Sequence, residues 1–352
     1  NWKNTINMTE EIINGKTYKL PDQLSSFQKD MYVHLINWKW KHIAKDAGFY
    51  KYKGVDIPYD AILPDHAQFT LPIIYKPIIN DLNQHLKNFP FKLHIHFNHM
   101  ASSQAANINL FLPILLSPNA NSYLRQLKPD FKELATNELY KGFRIEYWDG
   151  NSDSEKGLLG DHNTRSGTDS DLAIAYYNYE NELCLWLIEH KLTEREFTEC
   201  GGYKSKGRDK TKHLCSKSFS EIIQNMNLCY YHDVRKNNYW KITKNHKSFF
   251  KNRINFSSCP FRSGINQLWR NQLLGFAIED DPSQPFKKVF FSVVHHDKNN
   301  GLNKSIKEYQ DLIDHNPRFT TFTSKSVIDK IRKTKDTDIN KWVEWYCDLY
   351  KI

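Results

Sequence analysis

The chain has 352 residues, 39% of them hydrophobic and 14% aromatic, enough apolar material for one large core or two small ones and too much for a disordered chain. Lys and Arg number 49 against 40 Asp and Glu, a formal charge of +9, which suits a polyanionic partner such as nucleic acid without being diagnostic of one. The longest apolar run, Ile108 to Leu116, is broken by Asn109 and Pro113 and is too short to span a membrane, and six cysteines are too sparse for a disulfide scaffold. The start, Asn1-Trp2-Lys3-Asn4, lacks the apolar stretch of a secretory signal, so a cytoplasmic protein with reduced thiols is expected.

Residues 23–48 predict a helix with a glycine stop, followed by the Pro-containing connection GVDIPYDAILPDH and a second helix over Tyr75 to Lys87. Phe91, Leu93, Ile95 and Phe97 alternate with Lys92, His94 and His96, which predicts a strand. HMASSQAANINLFLPILL reads as a helix, and a further helical region containing Pro129 leads to GFRIEYWDG at residues 142–150. From there the pattern becomes strand-like: GFRIEYW, DLAIAYYN and ELCLWLIEHK are three strands, INQLWRNQLLGFAIED a helix and KKVFFSVVHH a fourth strand. The expected fold class is α/β: a core of helix, three-strand meander, helix and strand over residues 98–300, with an insertion at about 195–262. Residues 1–97 are expected to be a mostly helical elaboration, and residues 301–352 a helical extension.

The segment DLAIAYYNYENELCLWLIEHK reads as one hairpin whose turn falls in Asn178-Tyr179-Glu180-Asn181, the polar stretch between two apolar runs. With the loop centred on Glu180, Asp171 lies opposite Glu189, each nine residues from the centre, and Glu189 and Lys191 point to the same face. Two carboxylates and an ammonium thus converge in apolar surroundings, which is costly without a purpose. A Mg²⁺ or Mn²⁺ ion held by Asp171 and Glu189 supplies one, polarising a phosphodiester and activating water, while Lys191 stabilises the developing charge. The plain alternative is an exposed polar strand end. Asp169 shares a strand face with Asp171 and is the alternative ligand; Glu146, ending the first strand, is a secondary candidate for a ligand or a base.

This arrangement resembles the PD-(D/E)XK nuclease superfamily, which places an Asp at the start of the second core strand and Glu-x-Lys on the third. Here those are Asp171 and Glu189-His190-Lys191. GTDSDLAIAYYN, CPFRSGINQLWRNQLLG and the upstream SSQAANINLF are similar to a bacterial subgroup of restriction-endonuclease-like proteins, and the resemblance covers roughly residues 98–297. It implies a metal-dependent deoxyribonuclease, with Asp171, Glu189 and the backbone of His190 as metal ligands, and a role in restriction or defence. RecB-like members carry a Gln on the later helix, which points to Gln267, although Asn271 stands where their pattern places Tyr. Gln104 is a weaker candidate of the same type. Asp130-Phe131-Lys132 also fits Asp-x-Lys, but it is read as a decoy in a helical stretch.

Gln267, Arg270 and Asn271 occupy one polar helix face opposite Ile265, Leu268, Trp269 and Phe276, and Arg270 is a candidate nucleic-acid contact. Lys204, Lys206, Arg208, Lys210 and Lys212 alternate; on an extended segment they form a phosphate-tracking rail, otherwise a solvated loop. His94, His96 and His99, like the pair His295 and His296, lack the spacing of a zinc site and are read as core or surface residues. Cys200, Cys215, Cys229 and Cys259 all fall in the insertion, spaced by 14, 13 and 29 residues without a C-x-x-C pair. They predict either a zinc or iron–sulfur site or four independent thiols. RecB-like proteins with a cluster have one cysteine ahead of the catalytic motif, whereas here all four lie behind it. No P-loop, nucleophile elbow or dinucleotide fingerprint is present in the sequence. The expected function is DNA hydrolysis, and the second reading is an inactive nucleic-acid-binding or regulatory module of the same fold.

Overall fold

The computed structural model describes residues 7–148, 155–163, 166–334 and 336–352. Asn1 to Asn4, and Asp149 and Gly150 at the end of the predicted first core strand, lie outside the described residues. The chain opens with the hairpin β1 (Met8–Ile13) and β2 (Lys16–Pro21), helix α1 (Ser26–His42), and a second hairpin, β3 (Gly48–Tyr52) and β4 (Val55–Tyr59). Helices α2 (Asp65–Gln68), α3 (Ile79–Asn88), α4 (Ser103–Leu115) and α5 (Ala120–Leu127) follow. The stretch expected to be mostly helical therefore carries two antiparallel hairpins as well. Each hairpin closes on an Asn-Gly or Lys-Gly pair in the left-handed region, Asn14-Gly15 and Lys53-Gly54, which suits a tight hairpin turn.

The central sheet is six-stranded and mixed, in the order β10-β9-β8-β7-β5, with β6 also pairing β7. Its strands are β5 (Phe131–Leu134), β6 (Phe143–Tyr147), β7 (Ser170–Asn178), β8 (Leu183–Lys191), β9 (Lys288–His295) and β10 (Phe319–Thr323). Between β8 and β9 run α6 (Gly201–Lys204), α7 (Phe219–Gln224), α8 (Tyr230–Asp233), α9 (Tyr239–Asn245) and α10 (Asn266–Asp280). Helices α11 (Asn303–Leu312), α12 (Ser324–Arg332) and α13 (Thr337–Tyr350) complete the chain around β10. Strands β7 and β8 are apolar on both faces because both faces are covered. Leu172, Ile174, Trp186 and Ile188 join a core built with α1, α4 and α13, whereas Ala173, Ala175, Leu185 and Leu187 join a second core built with α10 and the insertion.

Pro113 lies inside α4 and has no N–H to give the carbonyl of Asn109. The Trp342 indole of α13 donates to that carbonyl instead, at 2.7 Å, so the helix defect anchors the C-terminal helix.

Three predicted elements differ. Residues 91–97 form turns rather than a strand: Phe97 N–H bonds His94 O, and His94 N–H donates to Gln104 Oε1 at 2.8 Å. Among the described residues no strand pairs with this stretch, and Ile95 is exposed. Asp130-Phe131-Lys132 enters strand β5 rather than a helix, because α5 stops ahead of Pro129. Asp130 is taken up by Lys128 at 2.6 Å and by the Tyr176 hydroxyl at 2.7 Å. The C-terminal part, expected to be helical, contains β10, which runs parallel to β9. No helix among the described residues is long and apolar enough to cross a membrane.

Candidate active site

The β7–β8 turn forms at Tyr179 and Glu180, with Asn178 Oδ1 accepting from Glu182 N–H at 2.8 Å and Asn181 in the left-handed region. That turn sets a register in which Leu172 pairs with Ile188 and Tyr177 with Leu183. One step beyond Leu172 and Ile188, Asp171 is level with Glu189. On the other side of β7, Ile145 pairs with Leu172 and Tyr147 with Ser170, so Glu146 is level with Asp171. Three carboxylates therefore stand side by side across the ends of β6, β7 and β8.

Glu146 has φ 52°, a conformation that costs a non-glycine residue ~1 kcal/mol or more. The kink breaks the alternation of the strand: Ile145 packs into one core and Tyr147 into the other. It also brings the Glu146 carboxylate to Gln104 of α4, whose amide donates to Oε1 at 2.7 Å. Burial, followed by the charges of Asp169 and Glu189, pushes the Glu146 carboxyl up to about 8. Burial and the neighbouring Glu189 and Glu146 likewise raise Asp171 well above the usual carboxylate range. Asp171 Oδ2 accepts from the His190 N–H at 2.6 Å, and Asn107 of α4 donates to its backbone carbonyl at 3.1 Å.

Glu189 is buried with three donors around it: Gln267 Nε2 at 2.7 Å and Lys191 Nζ at 2.7 Å on Oε1, and Asn271 Nδ2 at 2.9 Å on Oε2. Gln267 and Asn271 are one helical turn apart on α10, so both reach the same carboxylate. Burial works against the Lys191 ammonium, but Glu189, Glu194 and Asp171 outweigh it and hold its proton affinity above the ordinary value. Glu194 in turn accepts from the N–H groups of Leu192 and Thr193 at 2.8 and 3.0 Å. Gln104 also accepts the His94 N–H at 2.8 Å, which brings the turn at residues 94–97 to the rim of the site.

Asp169 faces His162 at 3.0 Å. The His190 side chain points away from the carboxylates into the core, 3.3 Å from the Ser324 hydroxyl, and burial lowers its pKa to about 3. Arg270 is turned inward: its Nη1 lies 3.2 Å from Thr168 Oγ1, whose hydroxyl donates to Asp161. That places the half-buried Arg270 guanidinium against Thr168, just ahead of β7. The five basic residues do not form a rail, because residues 201–212 fold into α6 and successive turns instead of extending. Lys204 pairs with Glu199 and Lys212 with Asp233 at 3.0 Å, and Arg208 reaches Cys215 Sγ at 3.5 Å, while Lys206 and Lys210 are exposed. The histidines serve packing: His99 is buried, and His296 bonds the Tyr350 carbonyl at 2.9 Å.

Asn271 and Glu194 were not singled out from the sequence as site residues. Asn271 carried a usable signal, four residues after Gln267 on the same helix face. Glu194 carried none, since its role depends on how the chain turns after β8.

Among the described residues, no group of three or more His, Cys, Asp or Glu side chains is placed to hold a metal ion unaided. A nuclease magnesium site needs only one or two carboxylates, with waters and substrate phosphate completing the shell. The donor set fits that demand: Asp171 stands level with Glu189 and Glu146, and its raised proton affinity marks a place where a cation relieves repulsion.

A mixed α/β chain whose sheet end carries this constellation is compatible with the restriction-endonuclease-like class. The chain belongs to the family described as Restriction Endonuclease associating with ARP, whose model matches residues 38–351. No curated protein and no solved structure matches it.

Proposed function

We propose that the protein is a metal-dependent deoxyribonuclease of the PD-(D/E)XK kind, acting in restriction or defence in the cytoplasm. The observation that carries this reading is Glu189, level with Asp171 and gripped by Lys191, Gln267 and Asn271 at a buried strand end. Asp171 and Glu189, with the backbone of His190, would hold Mg²⁺ or Mn²⁺, which when bound supplies Lewis-acid polarisation of the phosphodiester and a more acidic water. Lys191 orients the attacking water and offsets the charge that develops on phosphate as the P–O bond breaks. Gln267 and Asn271 keep the Glu189 carboxylate in one rotamer. Glu146, with its raised proton affinity, is placed to take a proton from water when ionised. The family's description also names an ARP as an associated component, which makes that component the expected partner.

The test is incubation of purified protein with supercoiled, linear and single-stranded DNA in Mg²⁺, Mn²⁺ or EDTA. Glu189→Gln, Asp171→Asn and Lys191→Ala should each lower cleavage at least ~10³-fold, about 4 kcal/mol of transition-state stabilisation, while DNA binding persists. Wild-type rates from Glu189→Gln free of contaminating nuclease, or full activity in EDTA, would sink the assignment.

A further inference from the structure

The first half of the insertion has little to hold it. Between residues 198 and 218 only Cys200, Gly202 and His213 are buried. The second half is secured by an aromatic cluster of Phe219, Trp240, Phe250, Phe261 and Trp269, with Trp269 stacked on Phe261 at 4.0 Å between centroids. The fold nevertheless brings Cys200, Cys215, Cys229 and Cys259 into one neighbourhood, although the sequence spreads them over sixty residues. Cys259 N–H bonds the Cys215 carbonyl at 3.3 Å, and α6, which follows Cys200, packs on α8, which follows Cys229. Gly202 lies where a Cβ would sit 3.3 Å from the Tyr230 ring.

Three of the thiols, Cys200, Cys229 and Cys259, stand at the start of a tight helical turn. At Cys200 the turn N–H faces the sulfur, Tyr203 N–H donating to Sγ at 3.3 Å, whereas His232 N–H bonds the Cys229 carbonyl at 3.1 Å. The fourth, Cys215, receives the Arg208 guanidinium. The Tyr203 N–H on Cys200 and the Arg208 guanidinium on Cys215 favour thiolate sulfur. Cys259 is part of the insertion's apolar core, and Cys215 and Cys229 pack against the same core. His213 is already committed, to Asp209 N–H at 3.0 Å and Asp233 at 2.8 Å.

We propose that Cys200, Cys215, Cys229 and Cys259 form a structural zinc site that ties residues 198–218 to the aromatic half of the insertion. Four thiolates are a ligand set for tetrahedral Zn²⁺. Binding displaces four thiol protons to solvent and leaves the site with a net charge of −2, which Arg208 and the Tyr203 N–H offset in part. No three of these side chains are yet closed on a single point, so metal binding draws the sulfurs together, as it does where zinc binding is coupled to local folding.

The experiment is elemental analysis of the full chain purified anaerobically, with thiol titration before and after a strong chelator. About one zinc per chain is expected. The four thiols should be protected from a thiol reagent until zinc is stripped, while Cys184 and Cys347 are unaffected. Cys215→Ser and Cys229→Ser, the two at less buried positions, should each lose zinc, and Cys347→Ser should retain it. Replacement by Co²⁺ should give the visible spectrum of a tetrahedral thiolate site. Glu189→Gln should keep its zinc, so this outcome is independent of the nuclease reading. Folded protein without zinc whose four thiols react at once would overturn the proposal. A brown preparation containing iron and sulfide would overturn the identity of the metal.

Discussion

Residues 170–191 and residues 198–218 are close neighbours in the chain, yet they hold their polar groups by different means. In β7 and β8 the backbone is locked in a ladder, so the register alone puts Asp171 beside Glu189. In residues 198–218 the backbone bonds are mostly local, such as Ser205 N–H to Gly202 O at 3.3 Å and His213 N–H to Asp209 O at 2.7 Å, with the bond from Cys259 N–H to Cys215 O at 3.3 Å reaching further. The pairs Lys204–Glu199 and Lys212–Asp233 lie at the surface, where ion pairs contribute little. Long-range order comes free with a ladder. An irregular segment needs a cross-link, and here thiols occupy the positions where one would form.

The hardest way to break that contrast is through the sheet core. Trp186 on β8 is 1% exposed and its indole donates to Ser292 at 2.8 Å. Trp186→Ala should cost about 3–5 kcal/mol and lower the whole urea transition. Stripping metal from the insertion should instead open only the chain around Lys206 and Lys210 to limited proteolysis. A urea midpoint unchanged by Trp186→Ala would show that the sheet is not the stability centre.

A smaller effect sharpens the account of the strand carrying Glu146. His85 stacks on Phe143 at 5.3 Å and accepts the Ile145 N–H at 3.2 Å, so it is neutral in the folded protein. Burial, assisted by the nearby Arg144, lowers its pKa to about 4, against roughly 6.5 in the unfolded chain. The unfolded state therefore binds more protons between these values. The His85 contribution is full above pH ~6.5 and is lost as the pH falls through that value towards 4, about 3 kcal/mol at most. His85→Gln keeps an acceptor for Ile145 but does not titrate, so its stability should fall less steeply between pH 6.5 and 4.5. An identical slope for variant and wild type would remove His85 from the acid response.

The smallest effect concerns the grip on Glu189. Asn271→Ala removes one donor of three, with an expected loss of about 1–2 kcal/mol, roughly tenfold in kcat, and little change in DNA affinity. A change confined to KM would mean that Asn271 contacts substrate rather than positioning the carboxylate.

Much of this was legible before the fold. The polar tetrad Asn178–Asn181 between two apolar runs predicted the β7–β8 hairpin, and counting outward from Glu180 placed Asp171 opposite Glu189. The polar face of Gln267, Arg270 and Asn271 opposite Leu268 and Trp269 was legible, and it pointed to Gln267 but not to Asn271 as a site residue. Where reading stopped, the deciding term was a partner distant in sequence. The alternating residues 91–97 look like a strand, but the main chain there bonds Gln104 and its own turns. FTTFT is weakly apolar, and it becomes β10 because β9 offers a free edge. The basic residues 204–212 alternate as a rail would, but no sheet extends them.

The sequence by itself determined the elements whose pattern is set by their own neighbours: the hairpin register, the buried double-faced strands and the amphipathic α10. Tertiary structure decided the rest. It turned Glu146 through a left-handed kink to stand level with Asp171, aimed Arg270 inward, and gathered four scattered cysteines. Each of these depends on contacts between residues tens of positions apart, whose energies no local periodicity encodes.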